Sequence, residues 1–373
     1  MSTHTRLEIS MDEQTLVLYC GKDPVRQYPI STGEKGMGFT EESFRTPTGR
    51  FTICEKIGAG EHLHTIFRAR VPVGRWDVQN PSEADLILTR IIRMDGLDPE
   101  NRNTFSRNIY IHGTDREDLL GTPASHGCIR MANADIGELF DRVENGTEIF
   151  ISPLTKPKGK LLFIDCDSTL SSIEGIDELA RLLSPEIFAE VEALTNAAMN
   201  GDVNLDEVFN RRMEIIRPNR KMVDQVSLRY LETIVPGAAQ MISIAIGQGW
   251  LPVILSGGFA PIIKPLAARL GIRHIEAVPL SFNDVGDYAG YGGDYPTTRN
   301  LGKNEIIQEW KAAMLPCRTI MIGDGISDLE TKPDVDLMVG FGGVIGREKV
   351  IHGADFWLTN FQDLEVLSSL LKA

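Results

Sequence analysis

The chain has 373 residues, 42% hydrophobic and 24% charged, the composition of a globular protein too long for one ordinary core. Its formal net charge of −14, from 38 basic and 52 acidic residues, repels phosphate backbones and anionic lipid and so excludes nucleic acid as an expected partner. No apolar run approaches the ~18 residues of a membrane span. Charges at Arg6, Glu8, Asp12, Glu13, Lys22 and Asp23 break up the start of the chain, and the five cysteines show no CxxC spacing. The expectation is a cytoplasmic protein with free thiols.

In chain order, short alternating segments at 7–9, 15–19 and 50–54, separated by turn clusters, predict a mostly β domain over 1–153 with one helix near 136–143. Within it, Ile111-His112-Gly113-Thr114 precedes Gly121-Thr-Pro-Ala-Ser125-His126-Gly127-Cys128-Ile129-Arg130-Met131. A cysteine with a histidine nearby is a candidate nucleophile and base, and flanking glycines let backbone N–H groups approach a developing oxyanion. Singly, His112 would more often be a satisfied structural histidine and Cys128 a small buried residue.

The combination resembles the catalytic motif of the L,D-transpeptidase family, and the likeness takes in Ser31-Thr-Gly33 and Thr46-Pro-Thr-Gly-Arg-Phe51. The resemblance implies that Cys128 forms a thioester with a peptidoglycan stem peptide, with His112 as base oriented near Gly113. His126 and Arg130 would shape the acyl pocket. A chain expected in the cytoplasm lacks polymeric acceptors, so an L,D-carboxypeptidase acting on muropeptides stands beside the transpeptidase, and a non-catalytic muropeptide-binding module is a third reading. An activated Cys128 is expected to alkylate ahead of the other four thiols.

Residues 152–160 are polar, with two prolines and a glycine, and predict a linker. Beyond it, apolar runs at 161–164, 251–255, 319–322 and 337–339 alternate with amphipathic stretches near 238–246, 304–313 and 364–371, which predicts a parallel sheet covered by helices over 160–373. The segment 173–235 is helical in pattern and too long for a simple crossover, so it reads as a cap over the strand ends.

The first of these strands ends in Asp165-Cys166-Asp167-Ser168-Thr169. Ser256-Gly257-Gly258 follows the second, Lys303 opens a helix after Gly302, and Gly323-Asp324-Gly325 with Asp328 follows another strand. Any one of these is usually only a turn, but the fold would bring all four to one sheet edge, where paired carboxylates suit metal binding and proton transfer.

Together they resemble the haloacid dehalogenase superfamily. Glu174-Gly-Ile-Asp-Glu-Leu-Ala180, Ser256-Gly-Gly-Phe259 and Gly340-Phe-Gly-Gly343 are similar to its phosphoserine phosphatases over almost all of 160–371. The implied whole is a mostly-β L,D-transpeptidase-like domain followed by an α/β, Rossmann-like haloacid dehalogenase domain with a helical cap. The resemblance implies that Asp165 attacks phosphorus while Asp167 protonates the leaving oxygen and then activates water.

Mg2+ would be held by Asp165, Asp324 and the backbone carbonyl of Asp167, with Asp328 orienting its shell. Ser256, Gly257 and Lys303 would hold the phosphoryl oxygens. Glu174 would meet the ammonium of phosphoserine and Arg212 its carboxylate, with Met199 and Phe209 lining the cap. The bland alternative for Glu174 and Arg212 is a solvated charge on a helix, and the bland alternative for the substrate is another small phosphomonoester. Cys166 is read as a small strand-end residue with a raised pKa, and Cys20, Cys54 and Cys317 as packing residues.

Overall fold

A computed structural model describes residues 4–79 and 85–372. The chain divides into two units, one over Met1–Pro157 with Ala312–Leu315 and one over Lys158–Lys311 and Pro316–Ala373.

The first unit carries β1 (Thr5–Ser10), β2 (Thr15–Cys20), β3 (Asp23–Ser31), β4 (Gly49–Ile57), β5 (Thr65–Arg68), β6 (Val71–Arg75), β7 (Ile87–Gly96), β8 (Tyr110–Gly113), β9 (Ile129–Met131), α1 (Asn133–Arg142) and β10 (Glu148–Ser152). The sheet order is β4-β10-β1-β2-β3-β9-β8-β7, and β4 pairs again with β7, so the sheet closes into a barrel with the β5–β6 hairpin hanging from β7. Closure removes the edges that an open sheet would leave unpaired.

Strand alternation fills the interior. In β10, Ile149 and Ile151 are buried while Glu148 and Phe150 face out, and Leu7, Ile9, Leu16 and Leu18 on β1 and β2 join the same core. Most pairings are antiparallel. The β8–β9 pair is parallel and sets Ile111 beside Ile129 and His112 beside Arg130.

The second unit begins with β11 (Lys160–Ile164), then runs through α2 (Gly175–Arg181), α3 (Pro185–Met199), α4 (Leu205–Ile216), α5 (Arg220–Glu232) and α6 (Ala238–Gly247). It continues through β12 (Trp250–Phe259), α7 (Ala260–Leu270), β13 (His274–Val278), β14 (Leu280–Phe282), β15 (Tyr288–Tyr291) and α8 (Gly302–Met314). It ends with β16 (Arg318–Gly323), α9 (Ile326–Leu329), β17 (Leu337–Phe341), α10 (Glu348–Gly353), β18 (Phe356–Leu358) and α11 (Leu364–Lys372).

Six strands form a parallel sheet in the order β13-β12-β11-β16-β17-β18. Four successive residues of β11, Leu161 to Ile164, are buried, as a strand covered on both faces requires. The order reverses between β11 and β16, which is where ligands of open α/β sheets bind. Helices α2–α5 lie between β11 and α6, and the β14–β15 pair is an addition the hydrophobic pattern does not reveal.

In α4, residues Leu205, Val208, Phe209, Arg212, Met213 and Ile216 are the buried ones, a 3–4 repeat in which one position is an arginine. Cys166 is buried, but Cys317 corrects the packing expectation: it is exposed, and its thiol donates to the Gly159 carbonyl (2.9 Å). Among the described residues no helix is long and apolar enough to cross a membrane.

Candidate functional site

At the switch between β11 and β16 the two strands deliver Asp165 and Asp324 to one place, where they meet Asp328 from the short helix α9. One carboxylate oxygen from each lies within 4.8 Å of the others, and all three residues are buried. Asp328 is placed by Gly323: a Cβ there would fall 2.2 Å from the Asp328 carboxyl, so only glycine lets that side chain fold back against β16. Lys303, near the start of α8, bridges Asp328 (2.6 Å) and Asp165 (3.1 Å), while Arg347 Nε holds Asp324 (3.1 Å).

Burial and the neighbouring Asp328 push Asp165 well above the ordinary carboxylate range, against the pull of Lys303. Asp324 is pushed up to about 8 by burial, with Glu174 and Asp328 adding and Arg347 opposing. Lys303 is held protonated: burial works against its charge, but Asp165 and Asp328 outweigh it and raise its pKa. Burial first, then Asp167 and Asp165, pushes Cys166 far from thiolate character, in keeping with its reading as a strand-end residue.

Asp167 has its own shell. Its Oδ1 accepts from the buried Tyr230 hydroxyl on α5, and its Oδ2 from the Gly175 N–H that opens α2 (3.2 Å). A Cβ on Gly175 would stand 2.1 Å from the Tyr230 oxygen, so this glycine is what lets the phenol reach the carboxylate. Burial and then Glu174 push Asp167 up to about 7, while those two hydrogen bonds oppose.

One cavity is lined by Asp165, Asp167, Glu174, Met199, Phe209, Arg212, Ser256, Gly257, Lys303 and Asp324. The structure therefore brings together every residue singled out for this site except Asp328, which sits directly behind Lys303. Ser256 Oγ accepts from the Gly258 N–H (2.9 Å), and Glu174 accepts from the Ser168 hydroxyl (2.7 Å). Arg212 is not a solvated charge. It is 2% exposed, its guanidinium carbon sits 5.4 Å from the Phe209 ring centroid, and burial lowers its pKa against the pull of Asp177.

Sequence reasoning missed Asp177, Thr195, Tyr230, Thr297 and Arg347. Asp177 was findable, because an acid flanked by Ile176, Leu179 and Ala180 breaks the apolar face of α2. Tyr230 carries no local signal.

In the first unit the β8–β9 register sets His112 beside Arg130, and Cys128 immediately precedes β9, two residues before Arg130. His112 Nδ1 lies 2.8 Å from the Gly113 carbonyl; since a carbonyl only accepts, Nδ1 carries the hydrogen and Nε2 keeps a free lone pair. Burial lowers the His112 pKa, so the ring is neutral. Arg130 donates to the Ala124 carbonyl (3.0 Å) and pairs with Asp85, which His126 Nδ1 also approaches (3.1 Å). Asp85, another residue the sequence did not flag, is pushed up by burial but brought down to about 2 by His126 and Arg130.

Cys128 Sγ accepts from the Tyr110 N–H (3.4 Å) and donates to the Asn108 carbonyl (3.5 Å). Burial pushes the thiol up to about 11. That burial opposes thiolate formation at the resting Cys128, whose sulfur is held by the Tyr110 and Asn108 backbone.

Comparison with known proteins follows the same division. The L,D-transpeptidase catalytic domain family matches residues 4–151, and the haloacid dehalogenase-like hydrolase family matches residues 162–331. The phosphoserine phosphatase of Mus musculus is 34% identical over 202 residues, which are 54% of this chain and 89% of that protein. A phosphoserine phosphohydrolase-like protein from Francisella tularensis superposes with a TM-score of 0.52 at 26% identity, over 56% of this chain and 99% of that one. A structure described as a phospho-aspartyl intermediate analogue of phosphoserine phosphatase gives a TM-score of 0.50 at 25% identity, over 57% and 99%. The chain thus belongs, through its second unit, to the haloacid dehalogenase-like hydrolases in their phosphoserine phosphatase branch, and ahead of it carries a stretch, residues 4–151, that matches the L,D-transpeptidase catalytic domain family.

Proposed function

We propose that the second unit, acting as a domain over 160–373 with its cap at 173–235, is a Mg2+-dependent phosphoserine phosphatase that works through an aspartyl-phosphate. The observation that carries this reading is the buried Arg212 guanidinium in the same cavity as Asp165 and Asp167, whose Nε has no hydrogen-bond partner within the protein and so is open to an anionic group there. Glu174 in that cavity complements an ammonium, and the pair together suits a small zwitterion.

The acidic group fits a divalent cation: three buried carboxylates share one place with Lys303 and Arg347 as the opposing cations, and Asp165 and Asp324 resist ionisation without more positive charge. Asp165, Asp324 and the Asp167 backbone carbonyl would hold Mg2+, whose charge would let both carboxylates ionise and would offset that of the transferring phosphoryl group. Asp328 would orient Lys303 and the metal shell.

Asp165 then attacks phosphorus as the P–O bond to serine breaks, and protonated Asp167 gives its proton to the leaving oxygen. In the second half water attacks phosphorus, Asp167 takes its proton, and phosphate departs with Asp165 restored. A carboxyl group held near 7 is suited to both duties. Ser256, the Gly257 region and Lys303 would position the phosphoryl oxygens.

The first unit, over 1–153, is proposed to transfer an acyl group from a peptidoglycan stem peptide: Cys128 attacks the carbonyl before D-alanine, His112 Nε2 takes the thiol proton, and D-alanine leaves as its nitrogen is protonated. Gly113 orients His112, while His126 and Arg130 contact the substrate. The neutral His112 with Nε2 free supports this role.

The test is to give the purified chain phosphoserine with Mg2+ and, separately, a disaccharide tetrapeptide. Phosphate release from the first supports the phosphatase reading. From the second, Cys128-dependent tripeptide indicates a carboxypeptidase and cross-linked dimer a transpeptidase, whereas no Cys128-dependent product leaves a binding module.

A further inference from the structure

Behind the wall of the phosphatase cavity lies a chain of three buried polar side chains contributed by three cap helices. Arg212 Nη1 on α4 donates to Thr195 Oγ1 on α3 (3.0 Å), and the Thr195 hydroxyl donates to Asp177 Oδ1 on α2. Thr195 and Arg212 are each 2% exposed and Asp177 6%. Arg212 Nε is buried and has no hydrogen-bond partner within the protein. Thr195 and Asp177 do not line the cavity, whereas Arg212 and Met199, one helical turn beyond Thr195, do.

A buried arginine beside a buried aspartate ordinarily forms a direct, bidentate ion pair, because the guanidinium fork matches a carboxylate and uncompensated charge is costly to bury. Such a pair would consume the face of Arg212 that a substrate carboxylate needs. Here one hydroxyl stands between them. It passes the compensation of Asp177 to the guanidinium through two hydrogen bonds and leaves Nε unclaimed.

We infer that Thr195 is a positioning residue that spaces Asp177 from Arg212, so that the guanidinium is neutralised from behind yet stays open in front, and that this relay sets selectivity for phosphomonoesters bearing a carboxylate. The inference rests on the reading of Arg212 as the residue that meets the substrate carboxylate.

The test uses the full chain with Mg2+ and compares phosphoserine with p-nitrophenyl phosphate, which has no carboxylate. Thr195→Val should raise KM for phosphoserine and lower the phosphoserine to p-nitrophenyl phosphate ratio of kcat/KM by roughly tenfold or more, the scale of one hydrogen bond to a charged group. Thr195→Ser should restore it. If the Val variant fails to fold, Thr195→Ala removes the same hydroxyl without the added methyl.

The discriminating variant is Thr195→Val combined with Asp177→Asn. Removing the carboxylate that would otherwise capture Arg212 should recover most of the lost selectivity, a non-additivity that general loosening of the cap does not produce. Equal losses on both substrates in Thr195→Val, or no recovery in the double variant, would overturn the relay. Arg212→Ala run in parallel separates the two levels: if it too affects both substrates equally, the error lies in the reading of Arg212 and not in the spacer.

Discussion

The resting state of Cys128 yields a quantitative prediction that runs against its motif. Burial moves this thiol from an ordinary 9.0 to about 11, so below both values it holds roughly 100-fold less thiolate than an unperturbed cysteine. Its thiolate is also the stronger nucleophile: with a Brønsted slope near 0.4–0.5, two pH units return roughly 8-fold, leaving alkylation at neutral pH ~10-fold slow.

The assay is iodoacetamide labelling of the full chain, read cysteine by cysteine by mass spectrometry between about pH 6 and pH 11. The shape of each pH profile does not depend on how accessible the sulfur is. The Cys128 rate should climb about tenfold per pH unit toward pH 11 without a plateau, and the exposed Cys317 should label first at pH 7. His112→Ala should leave the resting profile unchanged, because the thiol is held by Tyr110 and Asn108 backbone. A plateau below pH 8 that disappears in His112→Ala would refute the reasoning and reveal a resting thiolate–imidazolium pair.

Four further outcomes follow from the two sites. Asp165→Asn should abolish phosphoserine hydrolysis, as should chelation of divalent metal, since an amide is neither a nucleophile nor a good ligand; residual turnover by either would remove the aspartyl-phosphate route. Arg212→Ala should lower kcat/KM for phosphoserine 10- to 150-fold relative to p-nitrophenyl phosphate, given ~1.5–3 kcal/mol for a charged hydrogen bond, and steady-state kinetics on both substrates reads it. Tyr230→Phe should slow phosphoserine turnover roughly tenfold, and a p-nitrophenyl leaving group, which departs without protonation, less; an equal effect would mean that Tyr230 only packs. Asp85 has a folded pKa of about 2, below its ordinary 3.8, so its stabilisation is present above pH 4 and lost as pH falls through 2. Asp85→Asn should therefore be destabilising by about 1 kcal/mol at pH 6, after allowance for its solvent-facing part, with the gap closing in denaturant titrations near pH 2.

What the sequence displays and what it hides can be sorted by how local the cause is. Asp165, Asp167 and Asp324 were legible because each stands at the end of an apolar strand with glycine or a second acid beside it, and a parallel sheet carries all strand ends to one edge. Arg212 could have been recognised as buried from α4 alone, since it occupies an apolar position of the repeat that includes Phe209 and Ile216. Closure of the barrel could not: alternation says which face of β4 and β7 turns inward but not that these two strands meet.

Thr195, Tyr230 and Asp85 were hidden for a related reason. Each acts through hydrogen bonds to residues on other elements, Thr195 with Arg212 and Asp177, Tyr230 with Asp167, Asp85 with Arg130 and His126, and a single polar side chain on a helix or loop leaves no periodic trace.

The same distinction explains why the cysteine motif is legible in the sequence and the burial that raises its thiol pKa is not. A motif specifies which groups can react; their resting charges depend on burial and on donors that come from elsewhere. Cys128 owes its high pKa to its depth and is held by the Asn108 carbonyl and the Tyr110 N–H, while His112 owes its tautomer to the Gly113 carbonyl. For the acyl transfer proposed above, a neutral thiol and a neutral imidazole would be a consistent resting state, because the proton would then have to move only when an acyl donor displaces the Asn108 contact and stabilises the charge that develops. Reactivity so arranged would appear with substrate and not before it, which would guard a half-buried cysteine against adventitious alkylation and oxidation.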